Sequence, residues 1–170
     1  MRRQHSTLNA VRGGSALGFG LLALVCSGLV AAEASDKPQS YTWSAELVEF
    51  DAPNRKATVK ARVVGERENV RTDSLNEGDQ AMLTWSGITY GAGIRALEPG
   101  NQSSFDRMSM PVEFVAEENG HIVFRVEIPA ENVDKIAALE AGQWVTAQSN
   151  HQSTAAGEAV LSMRPYGDVE

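Results

Sequence analysis

The run Met108-Ser109-Met110-Pro111-Val112-Glu113-Phe114-Val115-Ala116-Glu117-Glu118-Asn119-Gly120-His121-Ile122-Val123-Phe124-Arg125-Val126-Glu127-Ile128 reads as two strands joined by a tight turn. Met108, Met110, Val112 and Phe114 occupy alternate positions, and so do Ile122, Phe124, Val126 and Ile128, against His121, Arg125 and Glu127. A period of two is the mark of a strand with one face buried. Asn119-Gly120 lies between the two runs. Both residues tolerate positive φ, which a type I′ hairpin turn requires.

The same pattern continues outward. Ala57, Val59, Ala61 and Val63 alternate with Thr58, Lys60 and Arg62. Turn residues separate the runs at Asp51-Ala52-Pro53-Asn54, Glu77-Gly78-Asp79 and Glu98-Pro99-Gly100-Asn101. Eight strands are predicted, at 41–50, 56–64, 80–86, 93–98, 108–116, 121–128, 143–149 and 158–164. One short helix is expected over 129–140, with Val133, Ile136, Ala137 and Leu139 at helical spacing and Gly142 as its stop.

The strands fall into two sets of four, candidate repeats over 41–100 and 108–167. Glu46-Leu47-Val48 matches Glu113-Phe114-Val115, and Leu75-Asn76-Glu77-Gly78 matches Leu139-Glu140-Ala141-Gly142. Each of the latter leads into a strand with a tryptophan, Trp85 or Trp144, and Pro99-Gly100 echoes Pro165-Tyr166-Gly167. The expected fold is all-β, a small antiparallel barrel or sandwich of OB-like or SH3-like type with one short helix.

The first 34 residues read differently. Arg2, Arg3 and Arg12 make a basic start, Gly13 to Ala32 carries no charge, and small residues close the run at Val30-Ala31-Ala32. These are the three parts of a secretory signal, so 1–34 is expected to be a cleaved leader and 35–170 a single β domain in the periplasm or outside the cell. No stable membrane span is expected after cleavage. Cutting after Ala32 removes Arg2, Arg3 and Arg12 and no acid, so Lys+Arg falls from 15 to 12 against 22 Asp+Glu and the net charge moves from −7 to −10. That acidity argues against nucleic acid as a partner, which needs clustered Lys and Arg. The only cysteine, Cys26, lies in the leader, so the exported body would have no disulfide, thiol nucleophile or thiolate metal site.

No catalytic constellation stands out. The body has only His121 and His151 as candidate bases, no Gly-x-Ser-x-Gly elbow, and in Gly91-Ala92-Gly93 only a fragment of a phosphate-binding loop. The charged stretch 65–74 reads as a solvated loop. The expected role is a non-catalytic binding or accessory one, with an unknown small ligand or an envelope protein as partner and no cofactor. Trp43, Trp85 and Trp144 are expected to anchor the core, and two of them on one outward face would point to carbohydrate.

Copper is the alternative. Met108 and Met110 place two soft thioethers two residues apart, with the aromatic Phe105 ahead of them. This stretch resembles the Met-x-Met segment of small periplasmic copper chaperones, which are OB-like barrels. Ile136 to Val145 is loosely similar to that family's Leu-x-x-Gly-Asp-x-Val corner. The resemblance implies a site made of Met108, Met110 and a histidine from a neighbouring strand, for which His121 is the candidate. The chain departs from the family in having Phe105 where tryptophan is typical, no histidine in 56–64, and a hairpin at 112–128. The competing reading places Met108, Met110, Val112 and Phe114 on one core-facing stripe, with methionine as filler. An envelope structural or interaction partner is a further alternative.

Overall fold

The computed structural model describes residues 40–86, 93–100, 108–150 and 155–167. The leader, Phe105 and His151 lie outside the described residues. The strands are β1 (Ser40–Asp51), β2 (Lys56–Arg62), β3 (Gln80–Ser86), β4 (Gly93–Pro99), β5 (Ser109–Glu118), β6 (His121–Glu127), β7 (Trp144–Asn150) and β8 (Val160–Pro165). All neighbours are antiparallel, in the order β4-β3-β5-β6-β2-β1-β7-β8. The protein is all-β. The expected helix is shorter than its pattern: a 3-10 turn at Ala130–Asn132 runs into α1 (Val133–Ala137). Asn132 is buried and its side-chain Oδ1 accepts from the Met163 amide at 3.1 Å, tying this turn to β8. A second short helix, α2 (Ala156–Ala159), has no periodic signal in the sequence and packs over β5 and β6.

The sheet order reads the same from either end when β1–β4 are exchanged for β5–β8. The register obeys that exchange. Val59 pairs with Phe124 at the centre of the β2–β6 ladder. Glu46 opposite Trp144 has its counterpart in Glu113 opposite Gln80. The irregularity between Leu47 and Glu49 recurs between Phe114 and Ala116, and that between Thr84 and Trp85 recurs between Gln148 and Ser149. The Leu-x-x-Gly corners match to the hydrogen bond. Gly78 N donates to Phe114 O and Gly142 N to Leu47 O, both at 2.8 Å, with φ of +90° and +91° that only glycine adopts without strain. The central turn has Asn119 at φ 49° and Gly120 at φ 76°, as its hairpin chemistry requires.

This register corrects one sequence correspondence. Trp85 and Trp144 are not equivalent: the counterpart of Trp85 is Ser149, and that of Trp144 is Gln80. The resulting asymmetry fills the core. Trp43 packs on Trp85 at a ring separation of 5.3 Å and on Phe124 at 5.8 Å. Four strand steps separate β1 from β3, which in a flat sheet would span about 19 Å at ~4.8 Å per strand. The sheet therefore curls over its inner face, with β4 and β8 left as its two edges. Where the first half brings Trp85, the second brings the smaller Ser149, whose Oγ accepts from Trp43 Nε1 at 2.7 Å.

The stretch 65–74 is mostly exposed, as expected of a solvated loop, but it is anchored at one point. Val70 is buried, and Val63 and Val70 form bridges with Ile94 and Leu97, so this segment runs along the free edge of β4. Among the described residues no helix is long and apolar enough to cross a membrane.

Candidate functional site

The residues expected to bind copper do not converge. Met110 is fully buried and pairs with Leu83, whereas Met108 precedes β5 and is 47% exposed, so the two thioethers do not share the core-facing stripe. The first leaves the stripe because the pleat that enforces alternation starts only at Ser109. His121 lies opposite Glu118 and Arg62, with its Nδ1 3.1 Å from the Asn119 carbonyl. From Met110 to Glu118 the chain advances about 26 Å at ~3.3 Å per residue, far beyond coordination reach. The described residues include no group of three or more His, Cys, Asp or Glu placed to hold a metal.

The outer face of β2, β5 and β6 is charged and internally paired. Glu113 receives Lys56 Nζ at 2.8 Å and is also bonded by Arg125, which reaches Glu77 at 3.3 Å. Partial burial pushes the Glu113 carboxyl up, but hydrogen bonds and charge from Lys56 and Arg125 outweigh it and hold the group below the usual carboxylate value. Arg125 is likewise partly desolvated, which lowers its affinity for a proton, and Glu113 and Glu77 more than restore it. Arg55 pairs with Glu127. Grooves of about 390 and 430 Å³ flank Lys56 and Arg125, but the cations lining them are already engaged by carboxylates.

The outer face of β1, β7 and β8 is different. Parity on β7 buries Val145, Ala147 and Ser149 and turns Trp144, Thr146 and Gln148 outward. Register then sets the neighbours: Ser44 and Arg164 flank Thr146, and Thr42 and Ser162 flank Gln148. The result is a three-strand array of hydroxyl and amide groups with Arg164 as its cation. Ser44 Oγ lies 3.1 Å from Thr146 Oγ1, and Gln148 Nε2 donates to Ser40 Oγ at 3.0 Å. At one end Trp144, 50% exposed, meets Tyr166, 67% exposed, edge to face at 6.5 Å. Beside them Glu46 is held by Lys60 at 3.0 Å.

Three buried side-chain polar atoms among the described residues have no hydrogen-bond partner: the Tyr41 hydroxyl, Trp85 Nε1 and Arg164 Nη1. Tyr41 and Trp85 belong to the core, where burial pushes the Tyr41 phenol far above its ordinary pKa. Arg164 belongs to the outer array, one strand step from Thr146 and next along β8 to the aromatic end.

The internal symmetry shows what the fold itself requires at these positions. The counterparts of Trp144 and Tyr166 are Gln80 and Gly100; those of Thr146, Ser44 and Ser162 are Met82, Pro111 and Ala96, all buried. The counterparts of Gln148 and Thr42 are Thr84 and Ser109, whose hydroxyls lie 2.9 Å apart, so the equivalent face of β5, β3 and β4 keeps one hydroxyl pair but has neither the exposed aromatic pair nor the other polar positions. Sequence reasoning assigned Trp144 to the core and did not single out Tyr166. The available signal was parity: with Val145 and Ala147 inward, Trp144 must face out. The sequence matches no known family model, and no curated protein or solved structure is similar to it.

Proposed function

We propose that this protein is an exported, non-catalytic binding module whose contact surface is the outer face of β1, β7 and β8, centred on Trp144 and Tyr166. The exposed aromatic pair carries the reading. Aromatic side chains lose little conformational entropy on contact and dominate binding energetics, whereas leaving them in water is unfavourable. The first half shows that the fold does not need them, since Gln80 and Gly100 occupy the equivalent places. The face offers stacking and hydrogen-bonding groups, and among the described residues its one carboxylate, Glu46, is already paired with Lys60. Export rests on the basic, apolar and small-residue sections of 1–34.

The test compares retention of the wild-type protein and a Trp144→Ala/Tyr166→Ala variant on fractionated envelope material. Loss of retention with an unchanged unfolding midpoint supports the surface. Equal retention of both proteins overturns it.

A further inference from the structure

We propose that the occupant of this face is a glycan chain, lying along the strands with one sugar ring on Trp144 and its hydroxyls on the Ser/Thr/Gln array. The inference rests on the binding-face reading above and adds the chemical class of the ligand. A sugar presents an apolar ring face for stacking and a rim of hydroxyls that both donate and accept. Ser, Thr and Gln side chains have the same double capacity. Thr42, Ser44, Thr146, Gln148 and Ser162 supply it in adjacent rows, at strand spacings of about 4.8 Å and, along each strand, about 7 Å.

Two observations add to the aromatic pair. Arg164, half-buried, stands opposite Thr146 and next along β8 to the aromatic end, and is the cation that a ring hydroxyl or a uronate carboxylate would meet. In an acidic chain the described residues of the array also carry no unpaired carboxylate, Glu46 being bound by Lys60. A protein partner fits less well, because serine is depleted in the core of protein–protein interfaces. A single-stranded nucleic acid fits less well too, since it needs a basic track, and Arg164 is the one cation of the array proper.

The experiment titrates the purified protein with soluble cello-, chito- and galacturono-oligosaccharides and follows tryptophan emission. At least one series is expected to shift the emission, and Trp144→Ala should abolish the shift. Thr146→Val/Gln148→Leu should weaken binding about tenfold or more. Arg164→Gln should act most strongly on the uronate series if that series binds. The glycan proposal is overturned if none of the three series shifts the emission. If envelope retention in that case is lost on protease treatment and still depends on Trp144, the face stands and its partner is a protein. If retention does not depend on Trp144, the binding-face reading falls as well.

Discussion

Val59 faces Phe124 across the β2–β6 ladder, and the strand pairings on one side of that pair recur on the other. The halves nevertheless differ in where their bulk lies. The first half sends Trp43 and Trp85 inward, while the second turns Trp144 and Tyr166 outward. One scaffold thus carries a buried aromatic pair and an exposed one, and the two can be measured independently.

Trp43→Ala should lower the unfolding free energy by about 3–5 kcal/mol, because it removes a fully buried indole at the junction of β1, β3 and β6. Trp144→Ala should change it by about 0.5 kcal/mol or less, as expected of an exposed side chain. Urea denaturation of both variants checks the contrast. A large loss in Trp144→Ala would return that residue to the core.

Acrylamide should quench one of the three tryptophans readily, with Trp43 and Trp85 protected by burial. In Trp144→Phe the accessible component of the emission should disappear.

Gly78→Ala and Gly142→Ala should destabilise equally, by about 1–2 kcal/mol each, since both residues hold φ near +90° with nothing within 4 Å of an added Cβ. The cost is then purely conformational, and the matching hydrogen-bonded corners make it the same in each half. Thermal unfolding of the two variants side by side reads the difference. Unequal losses would show that the corners differ energetically despite their shared geometry.

Stability should fall as pH drops through the acidic range, in part through Glu113. Its carboxyl is more acidic in the folded protein than in the unfolded chain, so the unfolded state takes up the proton first. The contribution is complete above the unfolded carboxylate value, near ~4.3, and is lost as pH falls through the folded value. Glu113→Gln should flatten this part of the pH profile and leave Lys56 and Arg125 without their shared partner at neutral pH.

Ser149→Ala should cost about 1–3 kcal/mol by leaving Trp43 Nε1 buried without an acceptor. Ser149→Thr, which keeps the hydroxyl, separates the lost hydrogen bond from a packing defect: recovery with threonine assigns the effect to the bond.

Local chemistry was legible in the residues themselves. Alternation marked the strands at 57–63, 108–114 and 122–128, turn residues set off the others, Asn119-Gly120 marked the central turn, and the paired Leu-x-x-Gly corners marked two similar halves. These features depend on periods and backbone preferences that neighbouring residues carry. The short α2 escaped because four residues are too few to show a period. The ends of strands were the other weak point: Met108 follows the alternation but stands before the pleat begins, and Trp144 opens β7 on the outward parity.

The sequence by itself determined an all-β chain of eight strands in two similar sets, because side-chain alternation and turn conformation are decided within a few residues. Only the tertiary structure decided which strands are neighbours, which parity faces the core, and that His121 opens β6 opposite the end of β5 remote from Met110 while Arg164, Trp144 and Tyr166 share one surface. Alternation states that residues share a face, but register between distant strands is set by the collective closure of the core around Trp43, Trp85 and Phe124.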